Sequence, residues 1–314
     1  MKISQKNSTI SPKQEFTANM HITRYAKAAY YFRNPDLPIT VKRVEAGSSA
    51  QHPYDLTSEP HLHDFSELVI ITRGHGRHVV DGVEYEVGTG DVFLIQGESG
   101  HYFKERNSVS LINVMYDPVR LPLPFDWLRR LPGYNVIFEI EPAWRIGQGF
   151  RHHLKLDTAA LDTVVELCRR LENELEAGSA LKSLLKLEEL IIFVAETCGS
   201  EPGKSSGGAV RVGTVISRLE TDYRRNWSLH ELSQLAGTSV NNLLRLFRSV
   251  TGATPIEYLN RIRLRHAAAL LKYDSNPISE VALECGFADS NYFTRKFRAQ
   301  YGTTPREYRN QSDH

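Results

Sequence analysis

Two histidines one residue apart, a carboxylate four positions on and a later histidine are the side chains of this chain best placed for ligand chemistry. They are His61, His63, Glu67 and, after a Gly-Asp turn, His101. On a strand His61 and His63 point to one face, because side chains alternate with a period of two. Three imidazoles and a carboxylate can grip a divalent metal, hydrogen-bond a polar ligand, or serve only to close a β core. With Arg77 they make five polar groups suited to a polyol or sugar in a pocket with apolar walls. Residue types and spacing alone leave these readings open, and they carry no cofactor and no catalytic residue. The one GxSxG match, GKSSG at 203–207, lies in a linker-like stretch and not between a strand and a helix, so no nucleophile elbow supports a nucleophilic triad.

A second set of chemical groups recurs. LHELSQLAGTSVNNLLRLFRSVTGATPIEY at 229–258 is repeated in pattern by ISEVALECGFADSNYFTRKFRAQYGTTPREY at 278–308. Leu229, Glu231, Leu232 and Gly237 return as Ile278, Glu280, Val281 and Gly286, and Arg245, Phe247, Arg248 and Gly252 as Arg295, Phe297, Arg298 and Gly302. Each copy reads as a short amphipathic helix, a glycine turn and a second helix, the layout of a helix-turn-helix whose second helix enters a DNA major groove. Leu243/Phe247 and Phe293/Phe297 form the inner stripes at i, i+4. Asn241, Asn242, Leu244, Arg245 and Arg248 face outward in the first copy, and Ser290, Asn291, Thr294, Arg295 and Arg298 in the second. Arginine pairs bidentately with guanine and asparagine with adenine, so these types suit base reading. The helix between the copies, with Ile262, His266, Ala269 and Leu270 on its inner side and Arg261, Arg263 and Arg265 around the rest, sets two readers about one DNA turn, roughly 34 Å, apart.

The elements that must position these groups fall into two domains. Residues 1–22 read as a flexible arm. Short alternating apolar runs from about Ile39 to Tyr116, with an Asp-Gly turn at Asp81-Gly82, signal an all-β small barrel or jelly roll. Prolines at 118, 122, 124, 132 and 142 exclude long helices before 150. Two helices follow, Asp157–Ala177 and Ala180–Thr197. The first carries a heptad-like seam of Leu161, Val164, Cys168, Leu171 and Leu175, which either packs on its own barrel or joins two subunits. GSEPGKSSGG at 199–208 is a linker by composition. Domain boundaries are therefore set at 23–198 for the sensor and 209–314 for the reader. Ser228 with Glu231 makes a capping box at the start of the first reader helix, and the duplication extends this capping to the second copy.

Net charge is +1 over 314 residues, but residues 209–314 hold 15 Lys and Arg against 10 Asp and Glu, and 1–208 hold 23 against 27. The basic half suits a polyanion. Three scattered cysteines without CxxC spacing fit a reducing cytoplasm. A polar N-terminus and the lack of any apolar run near 18 residues exclude a membrane span and place the protein in the cytoplasm.

The stretch RIRLRHAAALLKYDSNPISEVALECGFADSNYFTRKFRAQYGTTPREY resembles the signature region of AraC/XylS-type bacterial transcription regulators, and the resemblance covers essentially all of 210–310. It implies a seven-helix domain with two helix-turn-helix units on one linker helix. By position the family's base contacts fall on Asn241, Leu244 and Arg245, then on Ser290, Asn291, Thr294 and Arg295. Leu244 departs from the polar residue often found there. Arg248 and Arg298 are read as phosphate contacts. HLHDFSELVIITRG followed by His101 resembles the cupin barrel, with Gln96 where a proline is usual. The fold expected is thus α+β multidomain, a cupin-like β-barrel with a helical hairpin followed by an all-α double helix-turn-helix. The resemblance implies an activator that binds double-stranded promoter DNA, contacts RNA polymerase and responds to a small effector, a sugar or sugar acid, held in the pocket without metal; the heptad-like seam motivates a homodimer. DFSELVII and LPGYNVIFEIEPAWR resemble the rhamnose-operon branch, which implies L-rhamnose. The rival classes are a metal-dependent cupin enzyme fused to a DNA-binding domain and a ligand-independent architectural DNA binder.

Overall fold

In a computed structural model of the chain, residues 24–47, 59–97, 99–142, 154–200, 207–273 and 276–312 are described. The arm expected at 1–22 lies outside them. In chain order the strands are β1 (Arg24–Ala26), β2 (Ile39–Val44), β3 (His61–His63), β4 (Ser66–Val80), β5 (Val83–Gly88), β6 (Asp91–Gln96), β7 (His101–Tyr116) and β8 (Leu154–Lys155). The helices are α1 (Ala28–Tyr31), α2 (Phe125–Leu128), α3 (Pro132–Tyr134), α4 (Thr158–Glu176), α5 (Ala180–Ser200) and α6 (Gly207–Thr221). They continue as α7 (Leu229–Leu235), α8 (Val240–Thr251), α9 (Pro255–Tyr273), α10 (Ile278–Glu284), α11 (Ser290–Tyr301) and α12 (Pro305–Ser312). A π-helical turn spans Asn135–Ile140. The chain divides into two compact units, Met1–Pro124 with Val136–Glu201, and Phe125–Asn135 with Pro202–His314.

The first unit is one eight-stranded sheet in the order β1-β3-β7-β4-β6-β8, with β2 added to β7 and β5 to β4. All pairs are antiparallel except β1 with β3. The long β4 and β7 run side by side and slip register between Ile71 and Arg73, Arg73 and His75, and Arg77 and His78. Such bulges bend a strand and re-aim its side chains. One of them depends on Gly74, at φ +83°, where an added Cβ would collide with the backbone of Asn107 and Ser108. Asp81 and Gly82 both take positive φ in the β4–β5 hairpin, as an Asp-Gly turn of this length requires. Val69, Ile71, Phe93, Ile95 and Leu111 fill the core.

Helix α4 begins at Asp157, whose carboxylate accepts from the Ala160 N–H at 2.8 Å. Its seam residues Leu161, Val164, Cys168 and Leu171 are buried within the chain, and Arg43 of β2 pairs with Glu172 at 2.8 Å. Of the two alternatives for the seam, these four residues take the first and are covered by their own domain, and Leu175 is half-buried. The unpartnered apolar side chains of the hairpin belong to α5 instead, where Leu181, Leu185 and Ile192 are exposed.

In the second unit Ser228 and Glu231 form the expected capping box on α7. The matching helix α10 starts after Pro277 without a side-chain cap, so capping is not duplicated there. It is duplicated further on, where Glu257 accepts from the Thr254 N–H and Glu307 from the Thr304 N–H, each at 2.8 Å. Leu264, Ala267, Leu271, Val281, Phe293 and Phe297 share one core. On α9 the buried face holds Ile262, Leu264 and Ala267, whereas Ala269 is exposed, so the inner side is rotated from the one expected. Arg263, expected on the surface, is buried and donates to the carbonyls of Tyr223 at 2.7 Å and Arg225 at 2.9 Å. A guanidinium there satisfies backbone oxygens that burial would otherwise leave without partners.

Candidate effector pocket and DNA-reading helices

His61 and His63 lie on β3, Glu67 at the start of β4 and His101 at the start of β7, directly paired with His61. All four are buried. Glu67 Oε2 lies 3.4 Å from His63 Nε2 and 3.2 Å from His101 Nε2. The four residues picked out by spacing thus converge. The rings of His61 and His101 are 4.2 Å apart.

A fifth member, His78, is fully buried with Nε2 3.2 Å from His101 Nδ1. Sequence reasoning missed it and chose its neighbour Arg77. Arg77 is half-exposed and pairs with Glu84 at 3.7 Å and Glu105 at 3.5 Å, away from the cluster. The register slips between these two residues, and it is His78 that turns inward.

The proton inventory of this cluster is constrained. His63 Nδ1 sits 2.7 Å from the Phe65 carbonyl, which can only accept, so Nδ1 carries a hydrogen. Burial alone would push the Glu67 carboxyl up, but the imidazoles of His101 and His63 outweigh it and hold it well below the usual carboxylate range. His63 Nε2 and Glu67 Oε2 face one another at 3.4 Å, a gap that a shared proton or a bound cation would fill. Burial lowers His101, with Glu67 opposing, and burial and His101 lower His61 to about 3. His63, Glu67 and His101 offer ligand atoms all within 4.8 Å of one another, and the His63 and His101 Nε2 atoms both face Glu67 Oε2. These three residues fit a divalent cation, with Phe65 O orienting His63 as second-layer carbonyls do. The free space beside them is about 20 Å³, room for one water or ion.

The two recognition helices are α8 and α11. Their N-caps are Ser239, accepting from the Asn242 N–H at 3.3 Å, and Asp289, accepting from Asn291 and Tyr292 at 2.9 and 3.1 Å. Both end at glycines in the left-handed region, Gly252 and Gly302. Leu243, Phe247, Phe293 and Phe297 are fully buried, which fixes which faces remain outside. Asn241, Arg245, Arg248, Ser290, Asn291, Arg295 and Arg298 are exposed, and Leu244 and Thr294 are half-buried. Thr294 spends its hydroxyl on the Ser290 carbonyl at 2.9 Å.

The equivalent arginines are held differently. Arg245 Nη2 donates to Asn242 Oδ1 at 2.8 Å, and Asn242 Nδ2 donates to Thr238 Oγ1 at 2.7 Å. Arg295 lies with its guanidinium 5.4 Å from the ring centre of Tyr292, the residue matching Asn242. The Tyr292 hydroxyl in turn accepts from Asn260 at 3.2 Å.

Comparison with known proteins finds relatives of both parts of the chain. Residues 44–190 match the AraC-like ligand binding domain and residues 232–311 the Helix-turn-helix domain. The chain is 30% identical over 263 residues to the HTH-type transcriptional activator RhaR of Escherichia coli O1:K1 / APEC, covering 82% of this chain and 89% of that protein. It is 31% identical over 260 residues to the protein of the same name in Escherichia coli strain K12, with the same coverage. A solved AraC-type transcriptional regulator from Chromobacterium violaceum is 30% identical, over 34% of this chain and 96% of that one, with a TM-score of 0.32. A sheet domain with a buried polar cluster, two helix-turn-helix units and relatives aligned across both place this chain in the AraC family of DNA-binding transcription regulators.

Proposed function

We propose that this regulator is a cytoplasmic activator that reads promoter DNA with α8 and α11, recruits RNA polymerase, and takes a sugar or sugar acid, L-rhamnose first among them, in the sensor unit. The observation that carries the DNA reading is the pair of helices with one burial pattern repeated 50 residues apart, each presenting an exposed arginine at the same position. Arg245→Ala and Arg295→Ala should each cost about 1–3 kcal/mol of binding and relax preference at one base pair, the two positions lying about 10 base pairs apart. Arg248→Ala and Arg298→Ala should instead weaken all sequences alike and flatten the salt dependence. Binding selections on randomised duplexes at fixed salt separate these outcomes. Uniform loss from the first pair would defeat the division into readers and anchors.

The effector reading is supported by the AraC-like ligand-binding match and by the relatives named as RhaR. A monosaccharide exceeds the 20 Å³ beside the histidines, so its binding requires the sheet domain to open, and a ligand that selects the open state shifts that equilibrium. Titration calorimetry with L-rhamnose and other sugars and sugar acids should find one that binds and raises the melting temperature. Silence across the panel removes the carbohydrate reading and leaves the regulator. A homodimer is supported by the exposed Leu181, Leu185 and Ile192, spaced to share one face of α5.

One observation favours a second reading of the pocket, namely the convergence of ligand atoms of His63, Glu67 and His101 within 4.8 Å of one another. A divalent ion held by His63, Glu67 and His101 would supply Lewis acidity and anchor a polyol oxygen. The reading adopted places no metal there. Elemental analysis of protein prepared without chelator should then find well under one equivalent of transition metal. A stoichiometric ion would transfer the site to the cation.

A further inference from the structure

The segment Phe125–Asn135 follows the last sheet-core strand in sequence, yet it belongs to the compact unit that contains the DNA-reading helices. The chain therefore passes between the units not once, at the linker, but three times, at 124–125, 135–136 and 201–202. The segment's two helices, α2 and α3, have four and three residues. Helices this short have no stability of their own, so their order comes from what they dock on.

The docking is specific. Leu128 and Tyr134 are buried. Ser217 of α6 donates its hydroxyl hydrogen to the Arg130 carbonyl. Asn135, fully buried, donates to the carbonyls of Arg129 at 2.7 Å and Leu131 at 3.2 Å. Arg265 of α9 is shared. Its Nη2 lies 2.6 Å from the buried carboxylate of Glu220 on α6, and its Nε lies 3.0 Å from Asp126 of the segment. α9 is the helix that joins the two recognition units. A side chain of the docked segment thus completes the charge set that fastens α9 to α6.

At its far end the segment runs into the π-helical turn Asn135–Ile140. Gln96, the last residue of β6, donates to the Phe138 carbonyl of that turn at 2.9 Å. Single π turns recur at functional sites, because the extra residue they hold can be taken up or released. At its near end it follows β7, the strand that carries His101.

We infer that Phe125–Asn135 is an intrachain docking element through which the sensor unit sets the DNA affinity of the reader. Docked, it orders α6 and α9 before DNA arrives, so less ordering entropy remains to be lost on binding. Released, it leaves Arg265 with one partner and the linker helix looser, and DNA is held more weakly. Coupling of this kind is reciprocal, so DNA must also tighten the docked segment.

The experiment uses the full chain and a duplex selected by it from a random pool; failure to select any duplex would count against DNA reading itself rather than against this inference. Amide hydrogen exchange across 125–135 should slow about fivefold or more when the duplex is bound. Asp126→Ala and Ser217→Ala should speed that exchange and weaken every duplex by a similar factor without changing base preference, and Asp126→Glu should restore both. Leu128→Asp, which puts a charge in a buried site, forces release where the single polar changes leave the segment docked. Exchange at 125–135 that is indifferent to DNA overturns the inference, and so does a Leu128→Asp chain that binds the duplex as tightly as the parent.

Discussion

Between pH 6.5 and pH 4 the sensor unit should lose about 3 kcal/mol of stability through His61 alone, at roughly 1.4 kcal/mol per pH unit. Burial and the neighbouring His101 lower this imidazole from 6.5 to about 3. Above pH 6.5 it is neutral in the folded and unfolded chain and contributes nothing to pH dependence. Below 6.5 the unfolded chain takes up a proton that the folded chain refuses, so each step downward favours unfolding until the folded group also titrates. His101, lowered by the same burial, adds in the same direction. Glu67, held low, stabilises the fold at neutral pH and joins the loss only as pH falls below the ordinary carboxylate range. Hydrogen exchange in the paired residues of β4 and β7, followed against pH, isolates this unit from the reader. His61→Gln, which cannot take the proton, should make the slope shallower by one group. An unaltered slope would show that His61 is not the titrating centre.

The second large effect separates two glycines that look equivalent in the repeat. Gly237 and Gly286 both end the first helix of their unit at positive φ, +57° and +87°. Alanine at either position meets the left-handed penalty of about 1–2 kcal/mol. At 237 the new Cβ would approach only Arg211 Nη1, at 3.3 Å, the far end of a flexible side chain. At 286 it would lie 2.8 Å from the Arg224 carbonyl oxygen and 3.0 Å from Arg263 Nε, where neither backbone nor the buried guanidinium can yield cheaply. Overpacking of this kind adds about 1–3 kcal/mol. Gly286→Ala should therefore cost the second unit about 2–5 kcal/mol, and Gly237→Ala the first unit about 1–2 kcal/mol. Urea unfolding followed by Trp227 fluorescence compares them, and equal losses would contradict the packing argument.

The reader was legible because its determinants are local. Inner pairs at i, i+4, the Ser228–Glu231 cap and the turn glycines are written within a few residues of one another, and the structure places each as expected. The pocket was half legible. Alternation put His61 and His63 on one face, and the spacing to Glu67 and His101 brought the four together. His78 was not legible because the register slip at Arg77/His78 decides which neighbour faces inward, and a bulge leaves no period in the sequence. Arg263 was misplaced because a charge on a helix reads as surface. Here its partners are carbonyls some 40 residues earlier, which no residue type announces. The membership of 125–135 in the reader is likewise set by tertiary contacts, through Ser217 and Arg265. The seam of α4 was visible as a seam, but periodicity says that a face is covered and not by what.

The unequal mounting of the two arginines has a consequence for how such a regulator changes over generations. Arg245 is aimed by an amide one turn away on its own helix, itself tied to Thr238. Arg295 rests on Tyr292, which is tied through Asn260 to the linker helix. A substitution at position 242 can re-aim one reader and leave the rest of the domain undisturbed. A substitution at 292 pulls on the linker helix and so is felt by both. If α8 and α11 read the operator as proposed, its two halves are not equally free to drift: the half read by α8 can diverge by single steps, and the half read by α11 is the conservative one against which new target sites must be matched.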